Sequence, residues 1–233
     1  MARAAQVTDG EAPGGRRPME TASQPLDNRP PSAQARGPLL PPRATADGTL
    51  RRLQEAALIG FGERGYHGVS MRDLAEAAGV TVSSVYAHVA AKEDLLFDLA
   101  RMGHEEHNER MRRALMASAP EPREQMSNLV RSHAIFHATY PLLAVVSNKE
   151  LHALSPENLQ PVLAIRHDSE RMFLDTVNRG MEADVFHCPD PWLAVAAIGG
   201  MGIRIAEWFD ADGPFPVERV ADRYAEFALK ILA

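Results

Sequence analysis

Ser70-Met-Arg-Asp-Leu-Ala-Glu-Ala-Ala-Gly-Val80-Thr-Val-Ser-Ser-Val-Tyr-Ala-His88 is the stretch that decides the fold. Ser70 with Asp73 three residues on has the form of a capping box and starts a short helix ending near Ala78. Gly79 stands where a tight turn needs a left-handed backbone, a conformation that costs other residues about 1–2 kcal/mol. Thr81 is placed to cap a further helix running through His88. Ala75 is small where two helices must cross, and Val80 and Val85 are apolar where the second must pack on the first. Two short helices joined in this way are a helix-turn-helix, which presents the N-terminal face of its second helix to a DNA major groove.

Outward from this hairpin the helical pattern continues. Leu50, Leu53, Ala57, Leu58 and Phe61 recur at helical spacing until Gly65 stops the segment. A long helix is expected from about Lys92. Beyond it, prolines at 120, 122, 141, 156, 161, 189, 191, 214 and 216 punctuate several more helical stretches. No alternating β-type runs bounded by hairpin turns are found, so the fold class is all-α. Residues 1–46 differ: they hold eight of the 17 prolines, no aromatic residue, and six arginines against four acids. Such a segment buries too little apolar surface to offset its ordering entropy, and reads as a disordered tail. The chain divides on this reading into the tail (1–46), a DNA-binding domain (47–100) and a larger helical domain (101–233).

Composition narrows the function. The formal charge is −6, which argues against a protein that coats nucleic acid but not against one that reads a short site. A single cysteine, Cys188, excludes an intramolecular disulfide framework and a Cys-rich zinc site, and fits a reducing compartment. No secretory signal is seen, and the apolar run Trp192–Ile203 is too short to span a bilayer. The expected location is cytoplasmic, with no membrane partner. No Gly-rich phosphate loop, nucleophile elbow or recognisable carboxylate pair is present, so neither catalysis nor a cofactor is expected.

Glu55-Ala-Ala-Leu58, Phe61, Glu63-Arg-Gly-Tyr66, the stretch Ser70–Val80, Val85-Tyr86, His88 and Lys92-Glu-Asp-Leu-Leu96 together resemble the tetracycline-repressor (TetR) family of bacterial transcription regulators. The resemblance implies a three-helix DNA-binding domain, a helical ligand-binding domain, and a homodimer that leaves its double-stranded operator when a ligand binds. Carried over by position, Ser70 and Thr81 face phosphates at helix N-termini. Tyr86 and His88 match phosphate-contacting positions, and Lys92 the phosphate-binding lysine. Val82, Ser83, Ser84 and Ala87 are the exposed recognition positions. None of them is a usual bidentate base reader, which leaves thymine methyls, hydroxyls and DNA shape to discriminate. Val89 and Ala90-Ala91 depart from the family pattern, and Gly60 and Gly62 weaken the first helix.

Leu154-Ser-Pro-Glu-Asn-Leu159, Arg166, Gly180, Val185-Phe186, Pro189-Asp-Pro191, Gly200-Met-Gly202, Trp208-Phe209 and Gly213-Pro214 are similar to a subgroup that controls lipid, steroid and acyl-CoA catabolism. The effector this implies is a CoA thioester or a related apolar acid. Phe136, Tyr140, Leu143, Met172, Phe173, Met201 and Trp208 are large apolar groups able to line its cavity, though they also read as ordinary core. Arg166, Arg171 and Arg204 are candidates for an anionic head group. Arg166 with Glu170 and Arg171 with Asp175 equally suit a salt-bridged face. His133 and His137 lie four apart on one helical face, but no third ligand is obvious and no metal is expected. The helices holding Val195, Ala196, Gly199, Gly200 and Ile203, and Val220, Tyr224, Phe227, Ala228 and Ile231, are the expected dimer elements, with packing inside one chain as the alternative. The rival reading from another class is an all-α small-molecule-binding or enzymatic protein with an incidental N-terminal hairpin.

Overall fold

The computed structural model describes residues 38–42 and 48–233, and among these no strand occurs. The helices are α1 (Thr49–Arg64), α2 (Met71–Ala77), α3 (Val82–Tyr86), α4 (Lys92–Met116), α5 (Pro122–Thr139) and α6 (Pro141–Lys149). A 3-10 turn (Leu151–Ala153) leads to α7 (Pro156–Glu182), α8 (Pro191–Ile203), α9 (Ile205–Trp208) and α10 (Val217–Ile231). Proline occupies the first position of α5, α6, α7 and α8. There its fixed φ suits the helix and its missing N–H would have been unpaired anyway.

The local grammar of the head is met at atomic level. Ser70 Oγ accepts from Asp73 N at 3.2 Å, and Asp73 Oδ2 accepts from Ser70 N at 2.8 Å. Gly79 has φ 66°, and Val80 N returns to Ala75 O at 2.9 Å to close the turn. Thr81 Oγ1 accepts from Ser84 N at 3.2 Å, but α3 ends at Tyr86, two residues before the expected His88. At α4 the residues that replace a serine cap are compensated from within the helix. Asp94 Oδ2 accepts from the backbone N–H groups of both Ala90 and Ala91 at 2.9 Å.

Leu53, Leu58, Phe61, Leu74, Val85, Leu95 and Leu99 form one buried core, which continues into Leu142, Leu143 and Val146 of α6. The glycines of α1 make this continuity possible. A Cβ on Gly62 would overlap the Leu142 side chain, and one on Gly60 would press on Val69 at 3.2 Å. Gly62 therefore gives up helix propensity for a close α1–α6 approach. Tyr66 N donates to Glu150 Oε2 at 3.1 Å, and Glu93 Oε1 accepts from Ser155 N and Asn158 Nδ2, both at 2.8 Å. Helix α4 runs unbroken through residue 100, where the sequence places the domain boundary.

The second core joins Met111, Met126, Leu129, Phe173, Val177, Ile198 and Ala228 among α4, α5, α7, α8 and α10. The expectation of an unpacked tail is corrected at its far end: Leu40 is only 2% exposed within the head core, and Leu39 packs against the same core. A dileucine supplies apolar area that the composition of the whole segment conceals. Residues 1–37 and 43–47 of the expected tail and its boundary lie outside the described residues.

Candidate functional site

Two surfaces carry chemistry. On the head, buried Val85 and Val89 hold α3 and the turn after it, leaving Val82, Ser83, Ala87 and His88 exposed and Tyr86 55% exposed. Ser84 is half-buried, and Thr81 shares a 3.0 Å hydroxyl contact with Ser83. Of the recognition positions read from the sequence as exposed, Val82, Ser83 and Ala87 are so, and Ser84 is only half-exposed.

Ser70 and Lys92 have partners within the protein. The Ser70 hydroxyl donates to Asp73 Oδ2 at 2.7 Å, and this bond and the backbone N–H of Ser70 hold the Asp73 carboxyl below its usual range. A phosphate arriving there meets a carboxylate already seated on the helix N-terminus. Lys92 Nζ donates to Tyr66 O at 2.7 Å and Val69 O at 2.6 Å, and lies 4.1 Å from the Tyr66 ring centroid. Two of its three N–H groups serve the protein as a strut beneath the turn after α1. Burial pulls its pKa down, partly offset by Asp73.

In the body a cavity of about 510 Å³ opens among α4, α5, α6, α7 and α8. Of the residues proposed from the sequence, Phe136, Arg166 and Phe173 line it, with Arg171 and Glu170 also on the wall. Arg166 Nε bonds Glu170 Oε1 at 3.0 Å, and Arg171 pairs with Asp168 rather than with Asp175. The other proposed ligand residues face elsewhere. Tyr140 is buried, its hydroxyl accepting from Arg110 at 3.3 Å, and Leu143 sits in the core shared with the head. Met172 and Met201 pack against the second core. Trp208 stacks on Tyr224 with ring centroids 6.4 Å apart, and exposed Arg204 pairs with Glu207. Helical spacing gives each residue's face but not which neighbour that face meets.

Four histidines on the wall are the residues that sequence reasoning underweights. His104 and His107 come from α4, His133 and His137 from α5. His104 Nε2 donates to Ser147 O at 3.0 Å, and burial pulls its pKa down to about 4. His133 Nε2 donates to Gly199 O at 3.0 Å; burial again dominates and holds the ring at about 4. His107 Nε2 and His133 Nδ1 are 2.7 Å apart, and His137 Nδ1 donates to His133 O at 2.8 Å. Burial drives His107 and His137 well below the ordinary range, so the cluster is neutral at neutral pH. A signal did exist. Leu99, Gly103, His107 and Met111 recur every four residues on the buried stripe of α4, which puts His107 at a core position.

A helix-turn-helix head joined to a helical body with an internal cavity is the architecture of a ligand-sensing transcription regulator. Residues 53–99 match the family described as bacterial regulatory proteins, tetR family, and residues 119–232 match the tetracyclin repressor-like C-terminal domain. The chain belongs to the TetR family. It is similar to the HTH-type transcriptional repressor KstR2 of Mycobacterium tuberculosis, 27% identical over 181 residues covering 76% of this chain and 89% of that one. Among solved structures, the TetR family regulator PfmR of Thermus thermophilus is 31% identical with a TM-score of 0.70, covering 78% of this chain and 99% of that one. AibR, solved in complex with isovaleryl coenzyme A and operator DNA, shares the fold at 23% identity and a TM-score of 0.69, covering 77% and 97%.

Proposed function

We propose that this regulator is a homodimeric repressor whose α3 helices read a roughly palindromic operator, and that an apolar anionic effector, with CoA thioesters favoured, releases it. The observation that carries this reading is the cavity, with Phe136, Phe173, Leu174 and Val195 inside and Arg166 and Arg171 on its wall. The acyl part would gain about 25 cal/mol per Å² of apolar area buried, before the costs of association. Arg166, already oriented by Glu170, would hold the anionic end. The effector complex of AibR and the repressor role of KstR2 support the same assignment. Trp192 and Leu193 of α8 and Phe227 and Ile231 of α10 are exposed large apolar side chains, as a two-fold interface built from these helices would require.

The proposed DNA contacts are Thr81, Tyr86, His88 and the third N–H of Lys92 to phosphates, with Val82, Ser83, Ser84 and Ala87 toward bases. Helix α4 links the two sites directly, since it begins under the head at Lys92 and carries His104 and His107 into the cavity wall. An effector that fits one placement of α4 better biases the spacing of the two heads. Linkage then requires operator DNA to weaken effector binding by the same factor, typically about 5–150-fold. No enzymatic step is part of this reading. The test is titration of the protein–operator complex with acyl-CoAs, free fatty acids and planar cationic drugs. Release by acyl-CoAs is the expected result; release by the cationic drugs alone replaces the assignment with a multidrug sensor.

A further inference from the structure

The two histidines recognised from their spacing on α5 acquire a third from α4. The ring centroids of His107 and His133 are 5.0 Å apart, those of His133 and His137 4.4 Å, and those of His107 and His137 5.6 Å. One nitrogen of each lies within 4.8 Å of one nitrogen of the other two. We infer that His107, His133 and His137 form a binding site for a single divalent transition-metal ion of the zinc class inside the cavity.

Hydrogen bonding has already assigned two of the three tautomers that such an ion needs. A carbonyl only accepts, so His133 carries its proton on Nε2 toward Gly199 O and offers a lone pair at Nδ1. By the same logic His137 carries its proton on Nδ1 and offers a lone pair at Nε2. His107 now donates Nε2–H into the His133 lone pair at 2.7 Å. Moving that proton to its own Nδ1 exposes the third lone pair with no net proton released. All three rings are neutral, the state in which imidazole ligates. The backbone bonds of His133 and His137 are the outer contacts that orient ligating histidines elsewhere.

Ligand chemistry selects the ion. Three imidazoles without thiolates suit zinc, cobalt, nickel or copper rather than calcium or magnesium. Three nitrogens at about 2.0–2.1 Å leave a fourth tetrahedral position, and the cavity provides room for water, hydroxide or an anionic ligand there. The three rings line that cavity, so an ion has a route in. Space for the middle ring is built into α8: a Cβ on Gly202 would overlap His133. With its Nδ1 proton given to His133 O, His137 keeps its Nε2 lone pair for a ligand on the cavity wall.

The test uses the full chain stripped with a chelator and then titrated with zinc chloride by calorimetry, with cobalt chloride as the optical probe. The expected result is one zinc ion per chain and visible cobalt bands of four-coordinate intensity. His107→Gln and His137→Gln should each weaken zinc binding by more than about 100-fold, beyond the effect usual for outer contacts. A control with exposed His67 and His152 both changed to Gln should bind as the unaltered chain does. If either buried variant fails to fold, long-range 1H–15N spectra of the unaltered protein decide. Zinc should then shift three buried imidazoles and spare the exposed ones. Absence of zinc binding overturns the site, as does binding that survives both buried variants, is lost only in the exposed control, or shifts only exposed imidazoles. None of these outcomes depends on DNA or on an acyl effector.

Discussion

The head and the body of this molecule place their working residues in opposite settings. On the head, Val82, Ser83, Ala87 and His88 are exposed, and the fold beneath them rests on Leu74, Val85 and the two helix caps. In the body, the residues around the cavity include four buried histidines that folding must accommodate without charge. Change is therefore cheap on the exposed face of α3 and costly around the buried cavity. A surface can vary in sequence preference while its support stays fixed, whereas an interior cannot change its polar groups without repairing its hydrogen bonds.

The largest effect expected from this contrast is acid sensitivity centred on the body. The folded state keeps His104 and His133 at about 4, and His107 and His137 well below the ordinary value, while the unfolded chain protonates near 6.5. Groups with depressed folded pKa values give stability that is complete above the unfolded value and lost as pH falls through this window. Between pH 7 and 5 the loss is about 2 kcal/mol each for His104 and His133, His107 and His137 add in the same direction, and Tm should fall by roughly 10 °C. Asp73, Glu93 and Glu207, whose pKa values are also lowered, lose their contributions only below the ordinary carboxylate range. A flat Tm between pH 7 and 5 would break the comparison.

Next in size is Leu40→Ala, which removes a side chain buried in the head core. A loss of about 2–4 kcal/mol in urea unfolding is expected. An unchanged midpoint would return residues 38–42 to the tail. Lys92→Ala follows, at about 1 kcal/mol, because two carbonyls lose a charged donor at a partly exposed site. Operator affinity should fall for all sequences alike, with a salt slope lower by about one if the third N–H meets a phosphate. Smallest in stability are Ser83→Ala and Ala87→Ser, within about 0.5 kcal/mol, with altered base preference in a binding-site selection. A large Tm change from either would mean that the exposed face of α3 also supports the fold.

What was legible in the sequence was local. The Ser70–Asp73 box, the left-handed Gly79 and the Thr81 cap involve groups within a few residues of each other, so their spacing states their geometry. Phe136, Arg166 and Phe173 were found because large or charged residues on helices often reach a cavity. Tyr140, Met201 and Trp208 were placed there on the same grounds, yet they face other neighbours. The partners that decide such outcomes lie far along the chain. His107 meets His133 across 26 residues, and Lys92 reaches back 26 residues to Tyr66. Leu40 escaped because averaging over 46 residues hides a short apolar pair. The apparent weakness of Gly62 became intelligible only when α6 was in view.

That seam at Gly62 bears on how such proteins can be recombined. A designer wishing to transplant this head onto another sensor would cut in front of α4 or at residue 100, treating the first three helices as a cassette. The groove left by Gly62 is shaped for Leu142, and the Tyr66 amide expects the carboxylate of Glu150. A chimera made at either cut would set α1 against a foreign α6, with a void or a collision at the join and an amide without its acceptor. The heritable unit is the head together with the segment 141–150, two pieces separated in the gene but inseparable in space. Grafts that carry both should retain communication between ligand and operator, and grafts that carry only the first should bind DNA deaf to any effector.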